Sequence, residues 1–469
     1  MTPWPPRPCF RKNPKRKRNN RSFLDDESLS GNSLRVAQRL RHYRWPAASI
    51  FRAFGDRASQ LSLLSLLFLL PQALYHLCMK MTRRFLASLL IFVAPLLLSV
   101  PRTSGDNSSA SQYFAFVGTY TNKTNSKGIY SFHFDASTGR LTSMALAAPT
   151  PDPSFLTAAR NERYLYAVNE LSEFKGKKSG AITSYALDPK FGKLTQLSEV
   201  PSGGADPCYI SFDQTGKYLL VANYTGGSVS TFPVEPDGRI APASAFVQHS
   251  GTGPNKERQE APHAHYIATS TDNRFVFVVD LGLDEVVVYR FDPANGSLTP
   301  NDPPFAKLAP GAGPRHLAFH PNGKFAYVLS EVNSTVTAFA YDSKNGSFST
   351  LQSLSTIPKD FTGPNDTAEI VVHPSGKFLY VSNRGRDSIA EFTINPPKGT
   401  LQLVGDFPTK GKTPRNFALD PTGKFLLAAN QESNNIVVFG VDQSTGALTA
   451  TGQVARVPAP VDIIFVPAK

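Results

Sequence analysis

One ten-residue phrase occurs six times in this chain. NERYLYAVNE (Asn161 to Glu170), TGKYLLVANY (Thr215 to Tyr224), DNRFVFVVDL (Asp272 to Leu281), NGKFAYVLSE (Asn322 to Glu331), SGKFLYVSNR (Ser375 to Arg384) and TGKFLLAANQ (Thr422 to Gln431) each join a polar turn to an aromatic anchor and an apolar run. The anchors Tyr164, Tyr218, Phe275, Phe325, Phe378 and Phe425 are 54, 57, 50, 53 and 47 residues apart. A period near fifty residues restricts a chain to solenoids, propellers and related arrays.

The content of each period decides among these. In the copy around Phe325, HLAFHP precedes the turn, KFAYVLS follows it, STVTAFAYD comes next, and SFSTLQSL follows DSKNGS. Short alternating runs separated by Gly, Pro, Asn and Asp turns, without helical periodicity, are β-strands. Four antiparallel strands per fifty residues make a propeller blade. Residues 113 to 144 contain only the second, third and fourth strands of the pattern, and APVDIIFVP (Ala459 to Pro467) contains only the first. The expected fold is therefore all-β: a seven-bladed β-propeller of four-stranded antiparallel blades, with the N- and C-terminal strands sharing one blade. Closure of this kind removes exposed sheet edges.

The net charge of +13 raises the question of a nucleic-acid partner. Residues 1 to 60 hold 14 Lys or Arg against 4 Asp or Glu, and residues 61 to 112 hold 4 against 1; subtracting both from 49 and 36 leaves 31 of each sign. The repeat region is formally neutral, so the expectation is no nucleic-acid partner. Upstream, MTRRFLASLLIFVAPLLLSVPRTSG from Met81 has the basic, apolar and polar regions of a signal peptide. Residues 1 to 80 read as a basic extension, disordered or preceding the true start, 81 to 112 as signal peptide and short linker, and 113 to 469 as the propeller. The expected location is exported, periplasmic or secreted, with no stable membrane span in the mature form. Anchoring through Leu61 to Val100 is the alternative. Cys208 is the lone cysteine of the propeller, which excludes an internal disulfide there.

Register within the repeat locates the chemistry. Ten residues before each anchor, at the start of the innermost strand, stand Ser154, Cys208, His265, Arg315, Ala368 and Arg415; six residues after it, where the second strand ends, stand Glu170, Tyr224, Leu281, Glu331, Arg384 and Gln431. Antiparallel neighbours place both sets on one rim, around a central funnel. Framework positions repeat as Gly, Lys, aromatic and aliphatic residues, whereas these positions vary and carry charge. Arg315, Arg384 and Arg415 offer forked donors for carboxylate or phosphate, and Glu331 or His265 is a candidate general base. His263 and His265, two apart on a strand, are expected to point to one face. His316 and His320 fall where other copies have Tyr209 and Asp213, and so read as ordinary strand residues.

The GTYT of Gly118 to Thr121, the PHAH of Pro262 to His265, the GPRH of Gly313 to His316 and the SNR of Ser382 to Arg384, in this order, resemble the seven-bladed lactonase family. That family contains propeller-type 6-phosphogluconolactonases and carboxymuconate lactonizing enzymes. The resemblance covers residues 113 to 467. It implies a catalytic set of His265 (or His263), Arg315, Glu331 and Arg384, acting on a small anionic lactone with no cofactor and no metal. Arg415, His263, Glu170 and Gln431 are the expected substrate-binding residues. Muconate-type cycloisomerisation and a non-catalytic, ligand- or partner-binding propeller are the alternative functions.

Overall fold

The structure is a computed structural model, and residues 111–469 are described. Those residues form seven four-stranded antiparallel sheets with no helix among them. The blades comprise residues 155–201, 207–248, 264–307, 314–355, 366–408 and 414–456, in that order, hereafter the first to the sixth. The seventh joins both ends of the chain. Its innermost strand, β28 (Pro460–Pro467), pairs with β1 (Gln112–Thr119), which pairs with β2 (Gly128–Asp135) and then β3 (Arg140–Pro149). Closure through the termini is as expected. The leader lies outside the described residues. Among those described, no helix is long and apolar enough to cross a membrane.

The repeated phrase exists to build the joints between blades. In each blade the aromatic anchor packs against a glycine in the third-to-fourth-strand turn of the next blade. Tyr164 meets Gly238, Tyr218 meets Gly296, Phe275 meets Gly346, Phe325 meets Gly399, Phe378 meets Gly446, Phe425 meets Gly139, and Phe114 closes the circle on Gly192. These glycines have φ between 62° and 86°, and a Cβ there would come within 2.3–2.7 Å of the ring. Both the left-handed backbone and the close approach require glycine. Seven clusters of buried side chains result, one between each pair of neighbouring blades. Each fully buried Phe or Tyr contributes roughly 1.5–3 kcal/mol through its apolar surface.

The innermost strands carry the feature that shapes the axis. In the fourth blade, β16 (Pro314–Phe319) pairs Pro314 with Ser330 and His316 with Leu329 of β17 (Phe325–Ser330), so Arg315 is an extra residue. Such a bulge re-aims side chains and often lies beside functional sites. The same shift leaves Cys208, His265 and Arg415 unpaired in their blades, and spans Ala368 and Glu369 in the fifth. Pro207, Pro314 and Pro414 begin three of these strands, the position where a residue without an N–H is tolerated.

Candidate functional site

Every residue in this region stands at the end of a strand or on a loop joining two strands at one rim. Glu331, just beyond β17, is buried at 5% exposure. Its Oε2 lies 2.9 Å from Arg384 Nη2 and 3.1 Å from Arg315 Nε, and its Oε1 lies 2.5 Å from Arg258 Nη2. The structure thus brings together Glu331, Arg315 and Arg384 and adds Arg258. Burial works to raise the Glu331 pKa, but Arg384, Arg315 and Arg258 pull it down to about 2. Burial pushes Arg315 down to about 10, and the neighbouring Arg415 and Arg384 push the same way. The Nε atoms of both Arg315 and Arg384 are buried; that of Arg384 makes no hydrogen bond within the protein, and that of Arg315 meets Glu331 as an ion pair.

Arg258 lies on the segment joining the second and third blades, within the longest of the repeat spacings. That insertion is clamped by Gln259, whose amide donates to Leu281 O at 2.8 Å and to Asp284 Oδ1 at 2.7 Å. Asp284 also accepts from the backbone N–H of Gly311 and Gly313, at 2.7 and 2.8 Å. One carboxylate therefore ties the loop carrying Arg258 to the turn leading into Arg315.

His265 is buried beneath this rim, with Nδ1 3.5 Å from the Cys208 Sγ. Among the described residues its Nε2 has no hydrogen-bond partner. Burial first, then the charges of Arg315 and Arg415, hold the ring neutral far below the usual histidine range. The Cys208 thiol is pushed up by burial and stays protonated. His263 occupies a different setting: it stacks on Tyr224 at 4.5 Å, and its Nε2 lies 3.4 Å from the exposed Glu260. Both histidines nevertheless pack on the Tyr224 ring, His265 edge-on at 5.4 Å.

A second group is formed by Tyr120, Glu170 and Arg415. The Tyr120 hydroxyl donates to Glu170 at 2.9 Å, and the Arg415 guanidinium lies over the Tyr120 ring at 5.2 Å. Burial raises the Glu170 pKa against the opposing pull of Arg415. Gln431 stands apart from both groups, lining a rim pocket of about 510 Å³ with Lys123, Glu432 and Asn434.

The next residue of each innermost strand forms a lower storey. The His316 ring lies 5.3 Å from His265, 5.1 Å from Tyr209, and 6.0 Å from both Phe155 and Tyr266. Side chains from the first four blades meet here, which places His316 near the axis. This corrects the sequence expectation, because the bulge turns His316 inward with Arg315. His320 does serve the framework, with Nε2 2.9 Å from Gly376 O of the next blade.

Asp462 enters the same storey from β28, and its Oδ2 accepts the Leu156 N–H at 2.7 Å. Burial, reinforced by Glu369, raises its pKa well above the ordinary 3.8. Above that pH the unfolded chain ionises while the folded one retains its proton, so the group lowers stability as pH rises. Asp462→Asn is expected to raise Tm by a few degrees at pH 7 and to match the parent near pH 3.5. Parallel Tm curves for the two proteins between these pH values would contradict this.

Residues 114–465 match the family described as Lactonase, 7-bladed beta-propeller. The chain belongs to this family. A Bacillus subtilis 6-phosphogluconolactonase is 40% identical over 309 residues, which are 66% of this chain and 85% of that protein. A 6-phosphogluconolactonase of Formosa agariphila is 38% identical over 65% of this chain and 86% of its own length. The solved structure of a periplasmic gluconolactonase of Pseudomonas aeruginosa matches with a TM-score of 0.72 at 38% identity, covering 76% of this chain and all of that one.

Within this lactonase propeller, register counting missed Tyr120, Arg258 and Glu369. Tyr120 was accessible to it, because it lies six residues after Phe114, the seventh anchor. Arg258 was signalled only by the 57-residue spacing that contains it. Glu369 gave no signal, since its position is an ordinary one in the repeat. Among the described residues, no three His, Cys, Asp or Glu side chains converge as a metal-holding group.

Proposed function

We propose that this chain hydrolyses a sugar lactone in the funnel, with an anionic lactone of the 6-phosphogluconolactone type as its preferred substrate. The observation that carries this reading is the neutral His265 imidazole set among arginines, in a family whose relatives are named for lactone hydrolysis. Water attacks the lactone carbonyl carbon while His265 Nε2 takes one of its protons. Arg315 and Arg384 stabilise the resulting oxyanion, in a site where preorganised donors act with little screening. When the ring C–O bond breaks, the imidazolium returns the proton to the leaving oxygen, giving an open hydroxy acid.

The charge balance favours His265 over Glu331 as base. Both Glu331 oxygens are engaged by arginines, and its carboxylate is too weakly basic to take a proton from water. Its role is to hold the arginine forks. His265 has the right protonation state but a poor setting for positive charge, because Arg315 and Arg415 oppose it. An anionic substrate and the developing oxyanion offset that field, so the base strengthens only when substrate is bound. Tyr120, Glu170 and Arg415 receive the hydroxylated part of the sugar, Gln431 its outer end, and His263 flanks the mouth beside Tyr224. Export from the cell is part of this proposal, supported by the leader sequence and the likeness to a periplasmic relative.

The test is acid release by the full chain, followed in a pH-stat with 6-phosphogluconolactone and glucono-δ-lactone. One equivalent of open hydroxy acid should form with each, with the higher kcat/KM for the phosphorylated compound and no change after dialysis against a chelator. No acceleration over spontaneous opening of either lactone would exclude the proposal.

A further inference from the structure

Three arginines meet Glu331, and Arg258 differs from the other two in depth and in origin. Side-chain exposure rises from 4% for Arg315 to 14% for Arg384 and 34% for Arg258. Arg315 and Arg384 belong to strands of the fourth and fifth blades. Arg258 comes instead from the segment between the second and third, and extends to Glu331 of the fourth blade through Nη2 and to Asp366 of the fifth, 3.6 Å from Nη1. Burial opposes its charge, but Glu331 and then Tyr224 of the second blade support it. Contacts with three blades place this guanidinium toward the axis, on the solvent side of Arg315 and Arg384.

The loop holds the side chain ready before any ligand arrives. Asn255 Oδ1 accepts the Arg258 N–H at 3.2 Å, and the fully buried Gln259 closes the loop by accepting the Asn255 N–H at 3.1 Å through Oε1. A side chain carried on a fixed backbone loses less freedom on binding. The charge around it is not fully balanced. The three guanidinium groups carry three positive charges against one negative charge each on Glu331 and Asp366. Asp366 is 47% exposed and beyond hydrogen-bond length of Nη1, so water screens that pair. An anion entering from solvent meets this partly committed donor before it meets the buried pair.

We propose that Arg258 is a specificity-determining residue that binds the phosphate of a phosphorylated sugar lactone, with Asp366 competing for the same guanidinium edge. The inference rests on the lactonase reading and extends it: Arg315 and Arg384 keep the lactone oxygen, and Arg258 takes the remote anion. A planar guanidinium pairs two phosphate oxygens at once, whereas an ammonium offers a point charge. Phosphate displaces Asp366 and not Glu331, because the Asp366 contact is longer and more exposed. Tyr120, Glu170 and Arg415, which receive the sugar hydroxyls, belong to the seventh, first and sixth blades. The two ends of the substrate therefore address different parts of the rim.

The test compares 6-phosphogluconolactone with glucono-δ-lactone on the full chain and three variants. In Arg258→Gln the ratio of kcat/KM for the phosphorylated over the unphosphorylated lactone is expected to fall about 10-fold or more, as when one partner of a charge pair is removed. The change should lie in KM for the phosphorylated compound. Arg258→Lys should restore only part of the ratio, and Asp366→Asn should raise it about threefold, the scale of an exposed ion pair. An unchanged ratio in Arg258→Gln, even with both rates lowered, confines the residue to holding Glu331 and overturns the proposal. So does an unchanged or lower ratio in Asp366→Asn. Calorimetric titration of the full chain with inorganic phosphate should give the same order without turnover: binding by the parent, weaker in Arg258→Gln and tighter in Asp366→Asn. Absence of binding by the parent overturns the proposal. If the parent opens neither lactone, the reaction fails, while the phosphate titration still decides what Arg258 binds.

Discussion

Arg315→Ala is expected to lower kcat for lactone opening about 10²–10³-fold, the usual effect of removing one oxyanion donor, while leaving Tm unchanged or raised. The combination follows from the position of the side chain. Arg315 is 3% exposed, with Arg384 and Arg415 close enough to depress its own pKa. Removing it relieves repulsion among buried cations, and Glu331 keeps Arg258 and Arg384 as partners. Function and stability are opposed at this position, as they commonly are in active sites. Arg315→Lys should recover little, since an ammonium lacks the planar fork that reaches Glu331, His316 and the substrate together. Steady-state kinetics and a thermal melt on the same preparation check this. Retained kcat with a Tm several degrees lower would make Arg315 a structural residue.

Glu331→Gln is expected to have the opposite balance, with a large loss of stability as well as of activity. The substitution preserves shape but removes the negative charge that three arginines share. Leaving buried charges without their partner costs about 3–5 kcal/mol. The pH dependence gives the sign. The Glu331 pKa is depressed in the folded state to about 2 from an ordinary 4.5, so its contribution is complete above 4.5 and disappears as pH falls toward 2. Urea unfolding of the parent should show that loss over this range, and Glu331→Gln should lack it while being less stable at pH 7. Equal stability of the two proteins at pH 7 would mean that solvent, rather than Glu331, neutralises the arginines.

The two substitutions also bear on how the site came to be partly legible. Arg315 and Glu331 departed from a template repeated around them, and that contrast identified both without any knowledge of their contacts. The same contrast marked His265, Arg384, Arg415 and Glu170, all of which are buried or partly buried beside other charged or titratable side chains. It also marked Gln431, which the structure places in a neighbouring pocket. It passed over His316 because tyrosine fills the equivalent site in the second blade. There Tyr209 and His316 do the same geometric job, meeting at the axis, but only His316 joins a carboxylate to an arginine.

The sequence by itself determined the blade count, the shared terminal blade and the rim on which charged residues collect. These depend on strand alternation, turns and the pairing of an aromatic anchor with a left-handed glycine, all written locally and repeated. Tertiary structure alone decided that Glu331 is held by three arginines, that Arg258 reaches it from an inserted loop, and that His316 turns inward to Glu369. Glu331 and Arg315 meet within the fourth blade, and the other contacts reach it from the fifth blade or from the loop between the second and third. They form only once neighbouring blades have packed and a one-residue bulge in the inner strand has re-aimed the side chains, and the distance and direction between blades are not encoded in any single copy of the repeat.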